Sequence, residues 1–286
     1  MQPHISLSAE KIASVAGFSI TNSLFMTWIV MVVLFLLSWM VCRRITHIPS
    51  NLQLAVEIIL DGLYGLFSSV VGENNIKMFF PLLASIFLFV VASNWSGLFP
   101  GVGTIGLTQE IKIVQKLISP ALAVTAAVKD SPIESFEVPA ESAAENQEAK
   151  TEANEFIPLL RGPTADLNTT LALALVSVFA LQYYGFKSLG FGYLSKFINF
   201  SNPINFFLGI LEIISEAAKV ISFAFRLFGN IFAGEVLLTV IAFLMPLIAP
   251  LPFIGLELFV GVIQGLVFSM LTAVFLNMAT VAHSEH

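Results

Sequence analysis

Long apolar runs separated by short polar connections dominate this chain. A hydrocarbon core of about 30 Å is crossed by about 20 apolar residues in a helix, and several runs here are at least that long. The pattern predicts three membrane-spanning helices and two longer ones within a single membrane domain over 1–286, at 24–42, 79–100, 163–186, 203–245 and 253–282.

A sixth stretch, 50–71, has apolar residues at helical spacing but also carries Glu57 and Asp61. This pattern favours an amphipathic helix that lies on the inner membrane face. A cytoplasmic helix packed on the rest of the protein fits the same pattern, and the sequence leaves both interpretations open.

The last two helices are unusually long. No proline lies between Pro203 and Pro246, and 43 helical residues would extend about 64 Å, twice the thickness of the bilayer core. We therefore expect one continuous, strongly tilted helix, a turn at Pro246, Pro250 and Pro252, and a second long helix. Two such helices predict a wall laid against a large curved partner.

Charge predicts the orientation. Arg43 and Arg44 follow the first span directly, and the positive-inside rule places them in the cytoplasm, with the N-terminus outside and the C-terminus cytoplasmic. Residues 104–160 are acidic and form a long external loop, and the Asp166 carboxylate suits the start of the next helix.

Composition narrows the class of protein. The chain is 57% hydrophobic and 11% charged, which predicts an all-α polytopic membrane protein with about five membrane helices and an amphipathic surface helix. The one cysteine, Cys42, excludes an internal disulfide. The sequence has no phosphate-binding glycine loop, no cluster with metal-ligand spacing and no basic patch for nucleic acid. We expect no cofactor and no metal.

Arg226 is the most informative residue, because it lies near the middle of the apolar stretch 203–245. An arginine at the centre of a membrane helix costs about 2.5–3.5 kcal/mol on insertion scales. Such a charge is expected to face a protein partner or a water-filled cavity. The alternative is an arginine that pairs with a carboxylate and only holds two helices together.

At about 100° per residue, a set of polar residues shares one side of this helix: Glu212, Glu216, Lys219, Ser222, Arg226 and Asn230. Pairing of Glu216 with Lys219 as plain helix support remains an alternative for its first members. Glu235 lies roughly opposite and is expected to face Glu257 of the last helix. Gly261 and Gly265 form a GxxxG pair that predicts close helix packing.

These residues lead to a family resemblance. The segment RLFGNIFAGE, 226–235, resembles the signature of subunit a of F-type rotary ATP synthases of the bacterial type. PTADLNTTLALAL at 163–175, PLLASIFLFVVASNWSGLFP at 81–100, and Glu257, Gln264 and LTAVFLNMA at 271–279 fit the same family. The resemblance covers most of the chain outside 104–160.

The resemblance implies a non-catalytic, proton-translocating stator subunit that couples proton flow to ring rotation and ATP synthesis. Arg226 would match the arginine that deprotonates the carboxylates of the c-subunit ring and blocks a direct proton leak. The outward half-channel would be lined by Glu235, Glu257, Asn230, Gln264 and Asn94. The cytoplasmic access path would contain Glu212, Lys219 and Ser222.

The implied partners are the c ring, the b subunits of the peripheral stalk, the remaining synthase subunits and membrane lipid, with no nucleic acid. The implied location is the bacterial inner membrane, and the mitochondrial inner membrane is the alternative. Two rival functions remain at this stage. A secondary transporter would favour internal repeats and interrupted helices, which are not evident here. A structural membrane anchor would use Arg226 only as one half of an ion pair.

Overall fold

The computed structural model describes residues 9–15, 18–43, 49–99, 101–103, 105–110, 154–197, 203–245 and 248–280. Within these ranges the chain forms six long α-helices: α1 Asn22–Arg43, α2 Asn51–Val71, α3 Glu73–Ser96, α4 Leu167–Leu189, α5 Pro203–Leu244 and α6 Pro250–Thr280. All six are long and apolar enough to cross a membrane, judged by length and composition. The prediction of an all-α polytopic membrane protein is therefore confirmed.

The boundary between α2 and α3 differs from the sequence expectation. Gly72 alone separates the two helices, with φ of 82°, a left-handed value that glycine adopts without strain. Its N–H donates to the carbonyl of Ser68 at 2.9 Å and ends α2. Residues 73–78, expected as a connection, are the first turns of α3, and Glu73 there suits the positive end of the helix.

One side of α2 packs against α3 and α6, while other apolar residues of the helix, such as Ile58 at 63%, are exposed. Leu63, Phe67 and Val71 are buried, while Glu57 and Asp61 are exposed. This arrangement agrees with an amphipathic helix. Its placement on a membrane surface stays a prediction, because α2 is also long and apolar enough to span a bilayer.

The expected continuity of the central helix is observed. Helix α5 runs without a break over 42 residues, a length of about 63 Å at 1.5 Å per residue. Its tilt in a membrane stays a prediction. Pro203 and Pro250 are the first residues of α5 and α6, a position where the missing proline N–H costs nothing. Pro250 and Pro252, expected in the turn, therefore lie inside α6.

Two short antiparallel pairs of strands were not predicted. Strands β1 Lys11–Val15 and β2 Phe18–Thr21 pair before α1, and strands β3 Gly106–Glu110 and β4 Asn154–Pro158 pair in the expected loop. The second pair joins the two ends of the acidic segment 104–160, whose residues 111–153 lie outside the described residues. Arg44, Pro100 and Pro246 also lie outside them.

Helices α3 and α6 pack closely against each other, and glycines permit this approach. A Cβ on Gly265 would come within 2.8 Å of Val91 Cγ2 and 3.3 Å of the Phe87 carbonyl oxygen. A Cβ on Gly261 would lie 3.1 Å from the Cβ of Asn94. The predicted GxxxG pair thus marks a true close approach, and it fixes the position of α6 against α3.

Helix α5 packs through one narrow stripe. Phe223, Ala224 and Leu227 are buried against α4 and α6, with Ala174 and Phe268 in the same cluster. The Phe223 and Phe268 rings lie 4.9 Å apart between centroids. This single packed stripe determines which side of α5 is turned away from the bundle.

The α3–α6 contact yields a stability prediction. We expect Gly265→Val to destabilise the protein by about 1–3 kcal/mol, the usual effect of adding methyl groups to a packed contact. Gly255→Val in the same helix is the matched control, because nothing lies within 4 Å of a Cβ at Gly255. The measurement is thermal unfolding of the purified chain in detergent. Equal melting temperatures for the two variants would contradict close packing of α6 on α3 at Gly265.

Candidate functional site

Arg226 lies on the side of α5 that faces away from the bundle, outside the packed stripe of Phe223, Ala224 and Leu227. Its side chain is exposed, as are Ser222 and Asn230, one helical turn before and after it. Within the part of the chain that the structure describes, Arg226 makes no hydrogen bond and no ion pair. The alternative interpretation, an arginine that pairs with a carboxylate of a second helix, therefore finds no such carboxylate among these residues.

The surroundings of Arg226 make this exposure costly in a membrane. Exposed side chains elsewhere around this part of α5 are large and apolar, with Ile221 57% and Phe225 55% exposed at about 140° and 100° around the helix from Arg226. A guanidinium is always charged, and hydrocarbon offers it no hydrogen bonds. A membrane protein with this surface is expected to cover Arg226 with a further protein surface or with water.

The polar residues two or more helical turns before Arg226 form contacts within the chain itself. Lys219 Nζ lies 2.7 Å from Glu216 Oε1, and it also lies 4.9 Å from the centroid of the Phe275 ring of α6. The helix-support interpretation thus describes this ion pair. Glu212 is half-buried two turns before Lys219, at the end of the bundle where α6 ends at Thr280.

A second charged cluster lies near the opposite end of the bundle, where β3 and β4 pair. Arg161 Nη2 lies 3.3 Å from Glu235 Oε2. Arg161 is only 6% exposed, whereas the Glu235 side chain is 43% exposed. The sequence analysis did not single out Arg161, which follows the acidic loop. The only sequence feature that could have indicated Arg161 is its position as a single cation two residues before Pro163, where the next helix was expected to begin.

Glu257 of α6 comes to the position next to Glu235. A Cβ on Gly234 would overlap the Glu257 carboxylate, so the absence of a side chain at Gly234 gives that carboxylate its place. Glu257 is half-buried and, among the described residues, makes no hydrogen bond and no ion pair. The two acids, expected to face each other, are brought to neighbouring positions of α5 and α6.

Polar atoms are also buried between α3 and α6. Asn94 Nδ2 donates to the carbonyl of Gly261 at 3.1 Å. Buried side-chain atoms without a hydrogen-bond partner in the described part of the chain include Asn94 Oδ1, Ser93 Oγ and Gln264 Nε2 on these helices, and Thr164 Oγ1 in the turn before α4. Buried polar groups are normally hydrogen-bonded, often to ordered water, so this layer suits a hydrated path through the bundle.

The segment that carries Arg161 and Thr164 is anchored at both ends. Gly162 and Gly97 touch through their backbones, since a Cβ on Gly162 would lie 3.3 Å from the Gly97 Cα. Asp166 is the N-cap of α4 and accepts from the Asn168 N–H at 3.1 Å. It also accepts from Ser23 Oγ of α1 at 2.7 Å, and both side chains are buried.

The predicted site residues thus form three groups. Arg226, Ser222 and Asn230 share the outward side of α5, Glu212 and Lys219 lie towards its N-terminal end, and Glu235, Glu257, Asn94 and Gln264 lie towards the β3–β4 end. Asn230 lies on the side of Arg226, as helical periodicity predicts, and its role in the outward half-channel stays a prediction. Among the described residues no group of three or more His, Cys, Asp or Glu side chains is placed to bind a metal ion.

Comparison with known proteins agrees with this architecture. Residues 24–277 match the family model described as ATP synthase A chain. A curated relative, ATP synthase subunit a of Gloeobacter violaceus, is 31% identical over 260 residues, which are 91% of this chain and 84% of the relative. The family match includes all six helices except the first two residues of α1 and the last three of α6.

The anchor at Asp166 yields a second stability prediction. Asp166→Ala removes a helix cap, worth about 0.5–2 kcal/mol, together with the acceptor for Ser23, so we expect it to destabilise the chain more than Ser23→Ala. Asn168→Ala is the control, because it keeps the backbone N–H that Asp166 accepts and removes only the longer side-chain hydrogen bond of 3.3 Å to the same carboxylate. Thermal unfolding in detergent measures all three variants. An Asp166→Ala melting temperature no lower than that of Asn168→Ala would contradict the capping role.

Proposed function

This chain belongs to the ATP synthase A chain family, and we propose that it uses Arg226 to couple proton flow to the rotation of a c-subunit ring. Subunit a is a non-catalytic, proton-translocating membrane component of the Fo sector, and ATP chemistry takes place in F1. The residues proposed for proton translocation in this chain lie on three of its helices, α3, α5 and α6.

The observation that carries the proposal is the outward Arg226, exposed on an apolar surface and unpaired among the described residues. Its proposed partner is the membrane-embedded carboxylate of each c subunit as it passes. An arginine stays protonated at any working pH, and a nearby positive charge favours the ionised form of a carboxylate. A ring carboxylate that reaches Arg226 would therefore release its proton.

The two groups of polar residues on either side of Arg226 would supply the access paths. Asn94, Gln264, Glu235 and Glu257 would line the outward half-channel, and the buried polar atoms between α3 and α6 support a hydrated path there. Glu212, Lys219 and Ser222 would line the cytoplasmic path. Asn230, exposed beside Arg226, would lie where the outward path meets the ring.

Arg226 would also separate the two paths. A proton that enters from outside would have to ride on the ring for nearly a full turn before it reaches the cytoplasmic path. A fixed positive charge between the paths repels protons, and it prevents a direct leak. The work available is about 2.3 kcal/mol for each charge that crosses 100 mV.

The proposed setting is the bacterial inner membrane, with the N-terminus outside and the C-terminus cytoplasmic. Arg43 at the end of α1 supports this orientation through the positive-inside rule. Most large apolar side chains of α1 are exposed, among them Phe35 at 70% and Met40 at 57%. Lipid and the b subunits of the peripheral stalk are the proposed neighbours of this surface.

The test is proton pumping in inverted membrane vesicles that contain the whole complex. We expect Arg226→Ala to reduce ATP-driven pumping to background in an assembled complex and to raise the passive leak once F1 is removed. Phe225→Ala is the matched control, because Phe225 is exposed on the same helix but points about 100° away. Normal coupled pumping by Arg226→Ala would show that the arginine is structural, as in the anchor hypothesis.

A further inference from the structure

Two acids, Glu235 and Glu257, lie at the β3–β4 end of the bundle, and their surroundings differ. We propose that Arg161 is a positioning residue that divides their roles: it holds Glu235 as a fixed anion and leaves Glu257 as the group that takes up and passes on protons. The inference rests on the proposed function, because it concerns the outward half-channel of a proton-translocating subunit.

Arg161 is held in place by backbone contacts on both sides. The N–H of Leu159 donates to the carbonyl of Ile105 at 2.9 Å, which continues the β3–β4 pairing. On the other side, the backbones of Gly162 and Gly97 touch because neither residue has a side chain. The guanidinium therefore reaches Glu235 from a rigid segment, and its 6% exposure keeps it away from bulk water.

The ion pair makes Glu235 a poor proton carrier. Arginine does not lose its proton in proteins, so the positive charge stays beside Glu235 in every step. Protonation of Glu235 would remove the negative charge beside the Arg161 cation, so the ion pair favours the ionised form of Glu235 over that of an unpaired carboxylate. Glu235 is thus expected to serve as the counterion of Arg161 rather than as a proton carrier.

Glu257 has the contrasting environment. Its carboxylate is seated over Gly234, it is half-buried, and it makes no hydrogen bond or ion pair within the described ranges. Among the described residues, no cation is paired with Glu257 to favour its charged form. Gln264 lies seven residues further on the same side of α6, and its amide is buried beside the α3 layer. Glu257 is therefore placed to receive a proton and to pass it towards Gln264.

The test measures passive proton conductance of inverted vesicles from which F1 has been removed, and ATP-driven pumping by the whole complex. Assembly is checked by the amount of this subunit in the purified complex. We expect Glu257→Gln to abolish conductance. Glu235→Gln and Arg161→Gln should each lower it several-fold, because each breaks the ion pair that positions these two side chains. Arg161→Lys keeps the positive charge and should retain most of the conductance. Lys11→Gln, which removes an exposed cation from β1, should have no effect.

The double variant Arg161→Gln/Glu235→Gln decides the question. Two amides can hydrogen-bond to each other without any charge, so we expect conductance several-fold above that of either single variant. A double variant as inactive as Glu235→Gln, in an assembled complex, would show that Glu235 itself carries protons and would overturn the inference. If the double variant does not assemble, the charge-exchanged pair Arg161→Glu/Glu235→Arg provides the same comparison.

A variant without any change of charge provides a second measurement. Gly234→Ala would push the Glu257 carboxylate from its place, while alanine favours the helix. We expect normal assembly and a several-fold loss of conductance, whereas Gly255→Ala, with open space at its Cβ, should match the wild type. Unchanged conductance in Gly234→Ala would count against Glu257 as the carrier.

The outcomes separate this inference from the proposed function. Wild-type conductance in both Glu257→Gln and Glu235→Gln would remove both acids from the path, and the proposed outward half-channel would fail with them. Lost conductance in Glu257→Gln without recovery in the double variant would leave the half-channel in place and overturn only the division of roles.

Discussion

A permanent positive charge on an apolar helix surface is the constraint on which this architecture depends. Arg226 cannot lose its proton, and the bilayer centre disfavours it by about 2.5–3.5 kcal/mol. The packed stripe of Phe223, Ala224 and Leu227 turns it away from the chain's own bundle. The fold thus keeps an exposed cation where a lone subunit would be expected to bury or pair it, which is understandable only if the subunit works against a partner.

Close backbone contacts hold the surrounding polar groups in place. Gly265 lets α6 approach α3, and Gly234 makes room for the Glu257 carboxylate. Gly162 and Gly97 let the segment between β4 and α4 pack on the end of α3. Each of these contacts positions a polar side chain nearby: Gln264, Arg161 or Glu257 itself. Small residues at helix interfaces are the usual means of close packing in membranes, and here they also define the path proposed for protons.

Much of the fold could be predicted from the sequence because apolar runs and prolines act locally. The continuous α5 followed from the absence of proline between Pro203 and Pro246, and the helix start at Asp166 followed from its capping chemistry. The β3–β4 pairing was missed, since strand pairing between distant segments has no local signature. Arg161 was missed for the same reason: its partner Glu235 is 74 residues away. The shared side of α5 could be predicted from helical periodicity, whereas the roles of its residues came only from the family resemblance.

The most direct measurement is disulfide cross-linking between α5 and the c ring in the assembled complex, with Cys42→Ser removing the native thiol. Ser222→Cys and Asn230→Cys lie about 40° around the helix from Arg226, and Ile221→Cys, also exposed, lies about 140° away. Paired with a cysteine beside the c-subunit carboxylate, the first two are expected to cross-link readily and Ile221→Cys is not. Cross-links from Ile221→Cys alone would show that another side of α5 meets the ring, and Arg226 would then lose its proposed partner.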